Sequence, residues 1–277
     1  MWTKSTLPDA PDDGLHTPEV GEWGAEKYLR VWMYDEMFTK SQNRKWTLVY
    51  VDLFAGAGHA LLKESGRRVL SSAMLALQVA HRFDRYVFCE ADPRRMAALR
   101  ERVGRVAPEA DVVFLEGDAN QIAQSIVPAI PPGSLAFCFA DPYGTNIRLS
   151  AIRVLAAARR MDFLILLALG MDANRNKELY RADESKRLDE FLGDATWRER
   201  WAVEEKQGGR FQRFLAREYA GAMQSLGYLE TALDEMHPVK DRGRLLYHLA
   251  FFSKVELAKK LWSEARKYTD PQTGLAL

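Results

Sequence analysis

Lys45-Trp-Thr-Leu-Val-Tyr-Val-Asp52-Leu-Phe-Ala-Gly56-Ala-Gly58 decides the fold: an apolar run of β type ends in an acidic residue and then breaks into a glycine-rich turn. Glycines at 56 and 58 let the backbone approach a ligand with no Cβ in the way, and a helix directly after the turn would offer unpaired N–H groups to polar ligand atoms. The spacing predicts the entry to a nucleotide-cofactor pocket. A capped tight turn with no ligand is the plainer alternative.

Three later segments repeat the pattern of a hydrophobic run that ends in acidic or polar residues. They are Tyr86-Val-Phe-Cys-Glu90-Ala-Asp92, Val112-Val-Phe-Leu-Glu-Gly117-Asp118 and Ala136-Phe-Cys-Phe-Ala-Asp141-Pro142-Tyr143-Gly144. A fifth run, Asp162-Phe-Leu-Ile-Leu-Leu-Ala-Leu-Gly170, is apolar throughout, as a strand buried on both faces requires, and passes into Met171-Asp172-Ala-Asn174-Arg175-Asn176. Helical periodicity lies between these runs. Trp23 to Phe38 leads, Ser71 to Phe83 follows the glycine turn, and Asp92-Pro93 caps a helix whose buried stripe is Met96, Leu99, Val103 and Val106. Further helices are expected near Asn120 to Val127 and Ser150 to Ala158.

The alternation predicts a Rossmann-like α/β fold, mostly parallel, with a C-terminal antiparallel hairpin. The expected organisation is an N-terminal arm over 1–20, extended or partly disordered, and a cofactor-binding core over 21–176. A charged helical insertion follows over 177–209, and 210–277 forms the rest of the sheet. That last part contains an amphipathic helix from Phe211 to Leu226, two β-type runs at 228–239 and 244–253 around Asp241-Arg-Gly243, and a helix from Glu256 to Tyr268. Helix, hairpin and helix also fit a winged-helix-like module, and both alternatives stand.

In an open parallel sheet ligands bind beyond the carboxyl ends of the strands, near the reversal of strand order, so all five polar strand ends should meet. Glu90 is suited to accept hydrogen bonds from two ribose hydroxyls, with Asp92 as the neighbouring candidate or simply a helix cap. Asp118 is placed to reach an adenine amino group, although Gly117-Asp118 is also a common turn dipeptide. Asp52 would face the positive end of a cofactor, with Phe54, Ala55, Gly56 and Gly58 lining it. The aromatic stripe at 211–219 and the tryptophans are expected in the core rather than as a base-stacking platform.

Composition narrows the function. In 277 residues, 39 Lys and Arg balance 38 Asp and Glu, so no global positive field announces nucleic acid and any such recognition is local. The two cysteines, Cys89 and Cys138, fall inside predicted strands as small packing residues, and the five histidines show no metal-ligand spacing, so no metal is expected. With no apolar run long enough to span a bilayer and no signal-type N-terminus, a cytoplasmic protein without membrane partners is expected.

Asp52-Leu-Phe-Ala-Gly-Ala-Gly58 with Glu90, Asp118 and Asp141-Pro-Tyr-Gly144 resembles the class I S-adenosylmethionine-dependent methyltransferase pattern. More narrowly, the chain resembles the three-Cys-motif partner protein family. The stretches that carry this run from Val20-Gly-Glu-Trp-Gly-Ala-Glu-Lys27 through Glu116-Gly-Asp118-Ala-Asn120 and Phe191-Leu-Gly-Asp194 to Leu246-Tyr-His-Leu-Ala-Phe-Phe-Ser-Lys254. The resemblance implies S-adenosylmethionine as cofactor and, as companion, a cysteine-rich radical S-adenosylmethionine protein.

Asp141-Pro142-Tyr143-Gly144 is similar to the Asp-Pro-Pro-Tyr element of nucleic-acid amino-methyltransferases and to the Asp-Pro-Phe-Gly element of tRNA guanine N2 methyltransferases. By that resemblance Asp141 and the Pro142 backbone hold an exocyclic amine and Tyr143 stacks on a base, with Gly144 beside them. Asp172, Asn174 and Arg175 are separately expected to contact substrate or shape the pocket. A surface turn is the alternative for the first element, and a structural loop for the last three residues. Two functions follow. One is a methyltransferase acting on an amino nitrogen of nucleic acid, and the other is a catalytically silent partner that binds nucleic acid or the companion enzyme.

Overall fold

The computed structural model describes residues 6–170 and 185–268. Asp172, Asn174 and Arg175 therefore lie outside the described residues, as does the first part of the expected insertion. In chain order the elements are β1 (Glu19–Val20), α1 (Trp23–Gln42), β2 (Leu48–Asp52), β3 (His59–Leu62), β4 (Arg68–Leu70), α2 (Ser72–Ala76), β5 (Arg85–Glu90) and α3 (Pro93–Val106). Then come β6 (Val112–Glu116), α4 (Ala119–Ile126), β7 (Leu135–Ala140), α5 (Leu149–Ala158), β8 (Arg160–Leu167), α6 (Arg187–Leu192), α7 (Trp197–Lys206), α8 (Phe211–Ser225), β9 (His237–Asp241), β10 (Arg244–Phe252) and α9 (Glu256–Tyr268).

The principal sheet has seven strands in the order β6-β5-β2-β7-β8-β10-β9. Strands β6, β5, β2, β7 and β8 pair in parallel, and β10 runs antiparallel to both β8 and β9. This is the Rossmann-like sheet expected, with its hairpin closed by Arg242 and Gly243 at φ +47° and +78°, the two positive values that a two-residue type I′ turn needs. Because β10 inserts beside β8, the hairpin belongs to the sheet and forms no separate winged-helix module.

Strand periodicity sorts the core into two layers. Tyr50, Phe88 and Phe137 point to one face, where Tyr34 and Phe38 of α1, Leu99 of α3 and Trp262 of α9 cover them. Val49, Val51, Cys89 and Cys138 point to the other, under Leu155 of α5, Trp201 of α7 and Phe214 and Tyr219 of α8. Cys89 and Cys138 are thus free and buried packing residues.

Two expectations are corrected, and for the arm one of two alternatives is decided over its described residues. The helix read over Ser71–Phe83 is only Ser72–Ala76, and none follows Gly58 directly; β3 and β4 come first and join β1 in a separate three-stranded sheet. The run 228–239 is a strand only from His237, because Tyr228–Met236 is held irregularly by side chains. The Tyr228 hydroxyl donates to Met161 O at 3.0 Å and the Thr231 hydroxyl to Phe251 O at 3.2 Å. Residues 6–20 do run as an arm but are tied down rather than disordered. Ala10 N–H donates to Arg68 O at 2.9 Å, Leu7 is buried, and Arg102 gathers the stretch from Asp13 to Thr17.

Candidate cofactor and acceptor site

Strand order reverses at β2 and β7, whose carboxyl ends stand side by side with Asp52 level with Phe139 and, across the other edge of β2, with Phe88. Asp52, Glu90 and Asp141, far apart in the chain, therefore converge. The glycine turn is stitched to both neighbouring strands: Leu53 N–H donates to Phe139 O at 3.0 Å and Ala55 N–H to Cys89 O at 2.9 Å. Gly56 and Gly58 sit at φ +66° and +86°, conformations costly for other residues. Their surroundings differ. A Cβ on Gly56 would meet nothing within 4 Å, so that residue borders open space, whereas one on Gly58 would press on Met74 at 2.9 Å.

Glu90 is buried beside this turn. Its Oε2 accepts the Gly56 N–H at 2.9 Å and its Oε1 the Asp92 N–H at 2.9 Å, which fixes the carboxylate while lone pairs remain for ligand hydroxyls. Asp92 caps α3, accepting from Arg94 N–H at 2.8 Å and Arg95 N–H at 3.3 Å, so the cap is its role here. Asp118 caps α4 through Oδ1, which accepts from Asn120 N–H at 2.9 Å.

Asp52 is fully buried. Its Oδ2 accepts from the Ser72 hydroxyl at 2.6 Å and its Oδ1 from Phe54 N–H at 3.1 Å, so it acts on the crevice through its field and by holding the turn. Burial pushes its pKa up to about 7 and the charge of Asp141 adds to this, against the hydrogen bonds from Ser72, Phe54 and Tyr50.

Asp141 directly follows β7 and is held in an ion pair: Lys27, from α1, donates to its Oδ2. Beyond it Pro142 is buried, Gly144 turns the chain at φ +68°, and Tyr143 is 88 % exposed, free to meet a planar group from solvent. Asn120 braces the end of this loop, donating to Asn146 O at 2.6 Å and accepting from Arg148 N–H at 2.8 Å, which links it to the cap at Asp118. Lys27 and Asn120 are the site residues that sequence reasoning assigned no role. A lysine on the apolar stripe of α1, between Trp23 and Val31, was the available signal for the first. Two surface clefts lie elsewhere, one of about 320 Å³ beside Arg153 and Arg217 and one of about 520 Å³ around Trp46 and Arg160.

The buried carboxyl of Asp52 makes one pH effect readable. Its folded pKa lies above the unfolded value of 3.8, so the stability it contributes is complete below that pH and is lost as pH rises to about 7. Asp162, pushed up to about 6 by burial, adds the same sign, while His59 and His248, pulled down to about 4, act oppositely. The difference between wild type and Asp52→Asn isolates the residue. In urea unfolding the variant's deficit should shrink between about pH 4.5 and about pH 7.5, and a constant deficit would show that Asp52 does not titrate there.

No helix among the described residues is long and apolar enough to cross a membrane. No family model and no curated protein sequence matches the chain. Solved structures do resemble it. A Legionella pneumophila protein of the family DUF519 is 10% identical, with 89% of this chain and 93% of that one covered and a TM-score of 0.50. A putative O-methyltransferase from Klebsiella pneumoniae is 11% identical over 81% of this chain and 80% of that one, with a TM-score of 0.46. M. jannaschii TYW2 in complex with AdoMet is 10% identical over 92% and 90%, with a TM-score of 0.45. At such identities the likeness is one of fold alone, and the fold is Rossmann-like α/β.

Proposed function

We propose that the chain is an S-adenosylmethionine-dependent methyltransferase whose acceptor is an amino nitrogen of nucleic acid. The observation that carries the cofactor is the hydrogen bond between Glu90 Oε2 and Gly56 N–H, at 2.9 Å, which fixes an acidic side chain against the glycine turn. A ribose with two hydroxyls fits that carboxylate, and the absence of any atom within 4 Å of a Cβ on Gly56 leaves room for a ligand chain to pass. Asp118 keeps Oδ2 for an adenine amino group.

When bound, S-adenosylmethionine would supply the methyl of its sulfonium to the acceptor nitrogen, with S-adenosylhomocysteine as leaving group and the amine proton passing to water. The chain's part is to orient. Asp141 Oδ1 would accept from the acceptor amine with Oδ2 held by Lys27, the Pro142 carbonyl would take a second N–H, and Tyr143 would stack on the base. Asp172, Asn174 and Arg175 belong to the same substrate side in this reading. Membership of the three-Cys-motif partner family, with a radical S-adenosylmethionine protein as companion, is its narrower form.

Calorimetry with S-adenosylmethionine should show binding, and none at about millimolar ligand, a ceiling near 4 kcal/mol, would remove the enzyme reading. Given binding, methyl transfer to nucleic acid at saturating cofactor should fall by about 100-fold or more in Asp141→Asn. Unchanged transfer would show the residue misassigned.

A further inference from the structure

Lys27 is a buried ammonium at the edge of the crevice. Its side chain is 3% exposed, it reaches Asp141 from the first turns of α1, and it lies 4.7 Å from the Tyr28 ring centroid and 5.4 Å from that of Trp23. An ammonium carries three N–H donors, and among the described residues Asp141 Oδ2 is its one oxygen partner, the two rings covering other directions. Burial opposes the charge, but Asp141 chiefly, with Tyr28 and Asp52, outweighs it and the pKa is raised, so Lys27 is a fixed cation and no base.

The charge around it defines what it can receive. Asp52, Glu90, Asp118 and Asp141 make the crevice acidic; Arg95, a second cation nearby, has its Nε buried without a hydrogen-bond partner, 3.9 Å from Asp92 Oδ2. A ligand whose tail is an amino-acid zwitterion would bring its own carboxylate among these carboxylates, and an unpaired anion there is repelled and costly to desolvate. Lys27 has donors to spare at that place.

We propose that Lys27 reads the α-carboxylate of the methionine end of S-adenosylmethionine, donating one N–H to it while another stays on Asp141. This rests on the cofactor reading above and assigns to α1 a share of the site: the helix brings a buried cation to the ligand's anion, and Asp141 keeps that cation in place. Lys27 is thus a binding residue for the cofactor's tail and takes no part in proton transfer.

The test is a cycle of calorimetric affinities on the full chain, with S-adenosylmethionine and decarboxylated S-adenosylmethionine as ligands and wild type and Lys27→Met as proteins. Wild type should bind the decarboxylated ligand about 10- to 100-fold more weakly, the size of a charge-assisted hydrogen bond. In Lys27→Met that preference should vanish or reverse, because the group that favoured the carboxylate is gone and the surrounding carboxylates repel it. Should Lys27→Met discriminate as wild type does, or weaken both ligands by the same factor, Lys27 is structural and the proposal falls. Equal affinity of wild type for the two ligands overturns it as well, without any variant, so a poorly folding Lys27→Met leaves the test intact. Failure of wild type to bind either ligand is a different result, which removes the cofactor reading itself.

Discussion

Gly170→Ala should cost the fold about 3 kcal/mol or more, the upper end of what overpacking a close-packed site incurs. Gly170 follows β8 where the bulge of β10 between Leu245 and Tyr247 crosses it. A Cβ there would stand 2.0 Å from Leu245 O, 2.8 Å from Leu245 C and 2.9 Å from Leu246 O. These are backbone atoms of a paired strand, with no rotamer to yield. Either β10 shifts, breaking its register with β8 from His248–Leu167 onward, or the chain leaves β8 by another path. Gly104 and Gly221 are the controls. Both are helical with nothing within 4 Å of a Cβ, so alanine there should stabilise by about 0.5–1 kcal/mol. Urea midpoints of the three variants check the contrast, and a Gly170→Ala midpoint equal to wild type would contradict the packing described.

The main sheet was legible because its parallel strands are covered on both faces and so read as unbroken apolar runs, from Leu48-Val-Tyr-Val to Phe163-Leu-Ile-Leu-Leu. Turn chemistry made the closing hairpin equally visible, since Asp241-Arg-Gly243 has a glycine where φ must be positive. The small sheet of β1, β3 and β4 was not read, although Ser65-Gly66 between His59–Leu62 and Arg68–Leu70 is a hairpin signal. The expectation of a helix after a glycine turn overrode it. What the sequence could not carry is pairing across the chain. That Lys27 meets Asp141, or Asp13 meets Arg102, depends on tertiary placement of groups that read singly as solvated charges. The acidic strand ends could be nominated because the fold brings the carboxyl ends of the parallel strands to one rim, which is a property of the topology and needs no pairwise knowledge.

The Asp13–Arg102 pair carries the other large effect. Arg102 is 1% exposed, and its guanidinium grips Asp13 through Nε and Nη2, both at 2.7 Å. Nη1 donates to Ala57 O at 2.6 Å and His16 O at 3.0 Å, and Nη2 to Thr17 Oγ1 at 3.0 Å. One side chain thus binds the arm, α3 and the glycine turn together. Arg102→Met would strip the Asp13 carboxylate of its main partner and leave the Ala57 and His16 carbonyls without this donor, a loss of about 3–5 kcal/mol for a buried pair broken on one side. Lysine should not rescue it, since a point ammonium cannot span the same set of acceptors.

The pH dependence follows from the same contact. The Arg102 guanidinium holds the Asp13 carboxyl well below its usual value of 3.8, so this stability is present above that pH and is lost as pH falls further. The gap between wild type and Arg102→Met should therefore be full at neutral pH and narrow in acid. Because Ala57 lies between the two glycines of the turn, the variant should also bind S-adenosylmethionine more weakly under conditions where it remains folded. Limited proteolysis separates the two consequences: cleavage within 6–20 at unchanged global stability would mean that Arg102 secures only the arm. A lowered urea midpoint together with weaker binding is the expected result, and it would make the arm a structural part of the glycine turn.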